Sequence, residues 1–534
     1  MTKQQKNPTF LIVCLVSAIL ACLSNIMYLI GVKNTPANFV YLGATHYWED
    51  FMFYASQFMQ GSKGAFTNTN LFTEETTKST LLYFPNIFLG HIGQILPVMP
   101  STVYNVSCIL LSFFILVSAY ILLVRLFPHK KLAPIAWMFF AFSTSFMNKL
   151  PAGLADAYWP FDLWNTPHFL FHRLGGMPHR LVMSLLFFLS LTLLFDKKIT
   201  WPKWVQICIA FVSVFGLTLI QPLIGVLLLG IFFITALLHR KETRTSTMIA
   251  SFLGGAGGLA YLLYLYVRDP YVQALATEGK WQTITSFFFL LRSIGPIVPF
   301  ALIGIIARKK GTAIEQFGTI LLISTYTFFL FPVLERFGIS NVRLLFPAAY
   351  LFFGWFAAVG VETIARFLPR VTTFTKNQVT AICCILFCVT VSPTVVWEIQ
   401  QKVTTATSQK NNYLYYLPAS TYDAFTYLKT MPNHPIVLGS PVSHMDTLIP
   451  AFSGQKTVTG PLYATINHDE KIEKVRQLYM RTLNSDDARA WLHAHHVTHL
   501  LFTIYDGDRT LFQTTYPFIT PLFSTPTAVV YDVQ

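Results

Sequence analysis

THYWEDFMFYASQF, residues 45–58, places two adjacent carboxylates, Glu49 and Asp50, at the head of a run with helical periodicity. Over 46–60, Tyr47, Phe51, Ala55 and Phe58 share one face, while His46, Glu49, Asp50, Gln57 and Gln60 lie toward the other. The pattern predicts an amphipathic helix in a membrane interface, with aromatic rings toward lipid and acids toward a cavity. Carboxylates beside lipid are costly unless they are solvated, paired or at work. Two readings follow: acids that merely face water, and acids that do chemistry on a lipid-borne substrate.

The rest of the chain sets that helix beside a bilayer. Hydrophobic residues make up 53% of the 534 positions and charged ones 12%, with a mean hydropathy of +0.51. Soluble domains carry about 25% charged residues. Apolar runs fall near 9–31, 101–124, 132–148, 181–195, 204–220, 222–238, 246–267, 283–307, 316–333, 344–363 and 378–398, which predicts eleven spans. The first, behind a basic start, reads as a retained signal anchor. The formal charge of +14 does not point to nucleic acid, because from residue 400 onward ten Lys+Arg balance ten Asp+Glu. The excess sits in short clusters between apolar runs. Segments 1–8, 125–131, 196–203, 239–245, 308–315 and 364–376 hold 17 Lys+Arg in 51 residues; segments 32–100, 149–180, 268–282 and 334–343 hold ten in 126. By the positive-inside rule the first set is cytoplasmic, which puts the N-terminus inside and the acids and the tail outside.

The fold class expected is therefore a membrane all-α bundle of about eleven transmembrane helices over 1–399, with a small extracytoplasmic α/β domain over 400–534. In that tail HPIVLG, HLLFTIYD and TAVVYDV read as strands, and HDEKIEKVRQLYM and SDDARAWLHAH as helices. All seven cysteines lie inside apolar runs, so neither a disulfide framework nor a CxxC metal site is offered.

Cations suited to an anion gather in the loops assigned outside. KLPAGLADAYWPFDLWNTPHFLFHRLGGMPHR, residues 149–180, contains His168, His172, Arg173, His179 and Arg180, with Asp156 and Asp162 earlier. Gly175, Gly176 and Pro178 force a turn just before Arg180. Arg donates two hydrogen bonds at once to a phosphate, and a helix beginning at His179 and Arg180 offers free N–H groups as well. A basic, aromatic loop resting on lipid headgroups is the plainer reading. LERFGISNVRLLFP adds Glu335, Arg336 and Arg343, and Arg292 lies near the outer end of the 283–307 run. Each of these suits a phosphate, and each suits snorkelling or pairing with Glu335. HAHHVTH at 493–499 scatters its imidazoles from a helix end into a strand, which fits a metal site poorly. No glycine-rich phosphate loop, GxSxG or HExxH occurs; no cofactor is implied, and a divalent metal has no support in the sequence. GGAGG at 254–258 lies in an apolar run and reads as close helix packing.

The acidic pair, the following FMFYASQFMQGSKGAFTNTNLFTEE (51–75) and YFPNIFLGHIGQIL (83–96), and the tail segment YLKTMPNHPIVLGSPVSHMDTLIPAFSGQKTVTG (427–460) resemble the GT-C superfamily of integral-membrane glycosyltransferases, in its large bacterial branch. The resemblance covers the order of elements over most of the chain. It implies transfer of a sugar, with inversion, from a polyprenyl-phosphate donor to an extracytoplasmic glycan, lipid or protein acceptor. It places the catalytic acid of the first outer loop on Asp50 or Glu49. Arg173, His179, Arg180, Arg336, Arg343 and His168 are then the candidates to hold the donor phosphate. The implied setting is the bacterial cytoplasmic membrane, with membrane lipids as partners. A transporter or flippase for a lipid-linked or anionic substrate is the alternative. Against it, the ionisable residues gather at the outer boundary and no repeated halves are apparent. A non-catalytic assembly protein for envelope polysaccharide is the third reading.

Overall fold

The structure, a computed structural model, describes residues 8–149, 158–161, 167–239, 243–275, 281–308, 311–337, 339–432 and 434–534. Asp156 and Asp162 lie outside the described residues. The chain divides into two compact units, one of Met1–Asn25, Cys108–Leu263 and Glu278–Gln401, the other of Ile26–Ser107, Tyr264–Thr277 and Lys402–Gln534.

The first unit is helical. Among the described residues seven helices of the chain are long and apolar enough to cross a membrane, or up to nine if each of two bent pairs counts as one span. Eleven were expected, and the difference has local reasons. The 132–148 run is helical only over Ala133–Phe142, then continues extended to a short strand at Met147–Lys149. Pro222–Leu238 is a separate helix, shorter than the spanning set. The 283–307 run breaks at Gly295, with φ of +97°, and Pro296, so Phe287–Ile294 and Ile297–Ala307 meet at a bend of 100°. A left-handed residue followed by proline cannot continue a helix. Helix Tyr350–Phe367 forms the centre of this unit, with Trp355, Phe356, Ala357 and Ala358 all fully buried. It packs against Ile297–Ala307 and Ala133–Phe142. The 254–258 glycines do mark a close approach: a Cβ on Gly254 would stand 2.3 Å from the Phe211 carbonyl oxygen.

The basic segments of this unit meet one another. Arg125 pairs with buried Asp196 at 2.5 Å, and Glu362 takes Arg366 at 2.6 Å and Lys376 at 3.6 Å, with His129 also at 3.6 Å. Arg244 bonds Gln206. Segments 125–131, 196–203 and 364–376, with Arg244, thus lie at one end of the bundle, as a membrane protein with segregated charge requires.

The second unit interleaves three pieces of chain. Its sheet has the order Ile436–Leu438, Val497–Thr503, Ala528–Val533, Ile519–Ser524; the first pair is parallel and the other two are antiparallel. Helices His468–Tyr479, Ser485–Ala494 and Arg509–Thr515 close over it through Val475, Leu478, Leu492 and Phe512. The tail does not stand apart from the first loop. Phe39–Tyr41 pairs antiparallel with Tyr416–Pro418, and Thr457 N donates to Leu71 O at 2.9 Å. Asn70 Nδ2 donates to Ala464 O at 2.7 Å, and Lys456 Nζ to the carbonyls of Glu74 and Glu75 at 3.0 and 2.7 Å. The tail's piece of this unit begins at Lys402, and these bonds join it to the first loop, Ile26–Ser107, in one compact unit.

Candidate active site

The acidic helix runs Trp48–Ser62 with Glu49 and Asp50 in its first turn, where the unpaired N–H groups and the helix dipole favour negative charge. It does not present one face to lipid, as its periodicity predicts. Every residue from Phe51 to Gly61 is buried, because helices Phe84–Gly90 and Met445–Phe452 pack against it within the same unit. Gly61 permits the crossing: a Cβ there would lie 2.1 Å from Ile87 O. The amides of the polar face are satisfied internally. Gln57 Oε1 accepts from Asn86 Nδ2 at 2.6 Å, and Gln60 Oε1 from Thr69 N at 2.9 Å.

The two acids differ in environment. Asp50 Oδ1 accepts a hydrogen bond from the Tyr463 hydroxyl at 2.7 Å. Tyr463 lies edge-on to Phe53, with ring centroids 5.3 Å apart, and Tyr54 and Tyr83 stand near it. Burial, then the Asp50 charge, hold the Tyr463 phenol well above its ordinary pKa, so it remains a donor. Glu49 Oε2 accepts only a longer bond, 3.3 Å, from exposed Tyr47. Glu49 acts electrostatically on His444 and Asp446. Burial drives the carboxyl of Asp446 up to about 7 against the bonds it accepts from Thr459 and Thr447. His444 sits edge-on to Trp48 at 5.3 Å. Tyr83 and His444 both adopt left-handed backbone conformations, φ of +56° and +57°, each at the N-cap of a helix packed on the acidic one. Such conformations in bulky residues cost of order 1–3 kcal/mol and gather at functional sites.

In the other unit the second loop is built around two buried charges. Arg173 is 4% exposed and spends its guanidinium on the chain itself. Nη1 donates to Pro167 O at 2.9 Å, and Nη2 to Phe140 O and Ser143 O at 3.2 and 2.7 Å, with the Tyr350 ring beneath at 4.2 Å. It thereby caps the C-terminal end of Ala133–Phe142. His168, fully buried, bonds Ser293, and burial lowers its pKa to about 3, so it is neutral. Glu398 is the residue that sequence reading missed. Its Oε1 accepts from Thr144 Oγ1 at 2.9 Å and Leu170 N at 3.1 Å, and Oε2 from Phe171 N at 2.8 Å. A lone carboxylate at the end of the last apolar run was its one signal. Glu398→Ala is expected to destabilise the protein by about 1–3 kcal/mol, since it strands buried N–H donors. A thermal melt of the purified protein that does not move would refute that role.

His179 is buried and Arg180 half-buried at the start of helix Pro178–Phe195. Arg336 is exposed on the turn Pro332–Phe337, and Arg343 is half-buried on Asn341–Leu344. Arg292 lies over the Phe161 ring at 5.4 Å. The structure thus brings Glu49 and Asp50 into one unit with Tyr463, and His168 with Arg173 into the other. Among the described residues no three His, Cys, Asp or Glu side chains converge as a metal site. In the tail, His495 Nδ1 contacts Glu74 at 2.6 Å while His499 turns to Asp532.

No known family profile matches the sequence, and no curated protein sequence is similar to it. The fold has solved counterparts. The chain is similar to the oligosaccharyltransferase of Archaeoglobus fulgidus in its apo form, with a TM-score of 0.54 and 12% identity over 94% of this chain and 70% of that one. It is similar also to the archaeal oligosaccharyltransferase AglB from Archaeoglobus fulgidus in complex with an inhibitory peptide and a dolichol-phosphate (0.52, 11%, 95% and 71%). A third counterpart is ArnT from Cupriavidus metallidurans bound to undecaprenyl phosphate (0.47, 12%, 96% and 97%). At these identities the likeness is one of fold, shared with the two oligosaccharyltransferase structures.

Proposed function

We propose that this protein is an inverting glycosyltransferase, moving a sugar from a polyprenyl-phosphate donor to a hydroxyl of an extracytoplasmic acceptor. One observation carries the reading: in a fold shared with solved GT-C enzymes, a carboxylate at the head of a helix buried from Phe51 to Gly61 is held at 2.7 Å by a half-buried phenol. Asp50 is assigned as the base. It accepts the acceptor's proton as the acceptor oxygen attacks the anomeric carbon, and the bond from that carbon to the phosphate oxygen breaks with its electron pair. The leaving group is the polyprenyl phosphate, whose charge needs cationic partners. Arg180, Arg336 and Arg343, with His179, are proposed for that task. Arg173 and His168, whose polar atoms bond Pro167, Phe140, Ser143 and Ser293, are proposed to hold the loop in shape. The acidic site and the tail are assigned to the outer face of a bacterial cytoplasmic membrane on the charge pattern of the loops.

The test is purified full-length protein in liposomes, supplied with radiolabelled polyprenyl-phosphate sugars and a membrane-extract acceptor. Label on the acceptor, with stoichiometric release of polyprenyl phosphate, is the expected result. Label that crosses the bilayer still joined to its lipid establishes a transporter instead.

A further inference from the structure

The bond from Tyr463 joins residues 413 positions apart. We propose that Tyr463, supplied by the C-terminal segment, is a positioning residue that fixes the carboxylate of Asp50 for proton transfer; this rests on the transferase reading above. A base must meet the acceptor hydroxyl within hydrogen-bond reach and in a set orientation. An Asp at a helix start can turn about two side-chain torsions, and a short bond to one oxygen removes that freedom.

The donor is itself anchored on both sides. Ala464 N and Thr465 N close a turn onto Pro461 O at 2.9 and 3.1 Å. Ala464 O accepts from Asn70, and Thr465 Oγ1 donates to Phe72 O at 2.9 Å. The ring packs edge-on against Phe53, which stands on the acidic helix three residues beyond Asp50. The phenol therefore approaches from a fixed frame. The same geometry separates the adjacent acids: Glu49 has a longer bond from an exposed tyrosine, so Asp50 is the one that is pre-oriented. The titratable groups that act on this pair are Tyr47 on Asp50, and Tyr54 and Tyr83 on Tyr463.

The experiment compares wild type, Tyr463→Phe, Asp50→Asn and the double variant as full-length protein in liposomes, on the donor and acceptor that wild type turns over. Tyr463→Phe keeps the ring and its packing. It is expected to lose about 10- to 100-fold in kcat, with KM within about twofold. The acidic limb of its pH–rate profile moves up by about one pH unit, because the lost bond had favoured the charged carboxylate. The double variant is no worse than Asp50→Asn, since the phenol acts through that carboxylate. An unchanged rate and profile in Tyr463→Phe, with Asp50→Asn inactive, overturns the positioning role and leaves the transferase reading standing. A loss equal at every pH, with the profile unmoved, assigns Tyr463 to structure and also overturns it. Wild-type turnover by Asp50→Asn overturns the positioning role and the assignment of Asp50 as the base, and leaves sugar transfer itself standing.

Discussion

Asp50→Asn is expected to lower kcat by about 10²- to 10⁴-fold, the span a positioned general base contributes. The substitution keeps the shape and removes only the capacity to accept a proton. The Tyr463 hydroxyl can still donate to the amide oxygen, so the 2.7 Å contact survives and the helix head stays in place. Removing one negative charge from the first turn costs about 0.3–1 kcal/mol of helix stability, too little to unfold a helix buried from Phe51 to Gly61. Glu49→Gln, one residue away, is expected to lose only a few-fold, because its carboxylate lacks the short bond and accepts at 3.3 Å from exposed Tyr47. Initial rates of sugar transfer by the two variants decide the matter. Asp50→Asn within twofold of wild type, or Glu49→Gln as the dead variant, would remove Asp50 from the chemistry.

The membrane architecture was legible because it depends on two coarse quantities, apolar length and the placement of Lys and Arg. Each of the eleven apolar runs is helical over part or most of its length. What the runs did not reveal is where a helix breaks. Gly295–Pro296 carried a turn signal inside an apolar stretch, and hydropathy averaging masked it. The position of the acids on a helix was legible, but their surroundings were not. That the polar stripe shares a face was legible, but not what covers it: Gln57 and Gln60 are buried, satisfied by Asn86, Asn68 and Thr69 of the same loop. Periodicity reports which residues share a face, while the partner that covers the face comes from elsewhere in the chain. Tyr463 and Glu398 were illegible for the same reason, since each acts on a segment more than 200 residues away. Arg173 shows the same limit from the other side. An arginine near glycines suggested a phosphate, and the backbone carbonyls that its guanidinium meets come from a helix end about 30 residues earlier, which no local pattern displays.

Lys471→Met is expected to be the most damaging substitution for stability in the loop-and-tail unit, at about 3–5 kcal/mol. Lys471 is 4% exposed and pairs with Glu74 Oε2 at 2.7 Å and Glu75 Oε1 at 2.6 Å. Its removal leaves two neighbouring carboxylates facing each other, one of them only 10% exposed. Glu75 is a third exposed and water screens part of its share, so most of the loss falls on Glu74. The pH dependence gives a second signature. Burial would raise the Glu75 pKa, but the bonds from Lys471 and Thr73 outweigh it and the net shift is downward. A depressed carboxylate stabilises the fold above its unfolded range, and that contribution disappears as pH falls through the folded value. The share of the Lys471→Met deficit that passes through Glu75 is therefore largest near neutrality and shrinks as pH falls through the ordinary carboxylate range, about pH 4. The triple variant Lys471→Met, Glu74→Gln, Glu75→Gln should regain most of the loss, since removing all the charges together avoids stranding any of them. Thermal unfolding and limited proteolysis of the detergent-purified protein at pH 7.5 and 4.5 make the comparison. Equal melting temperatures for Lys471→Met and wild type at the higher pH would show that these charges do not hold the first loop to the tail.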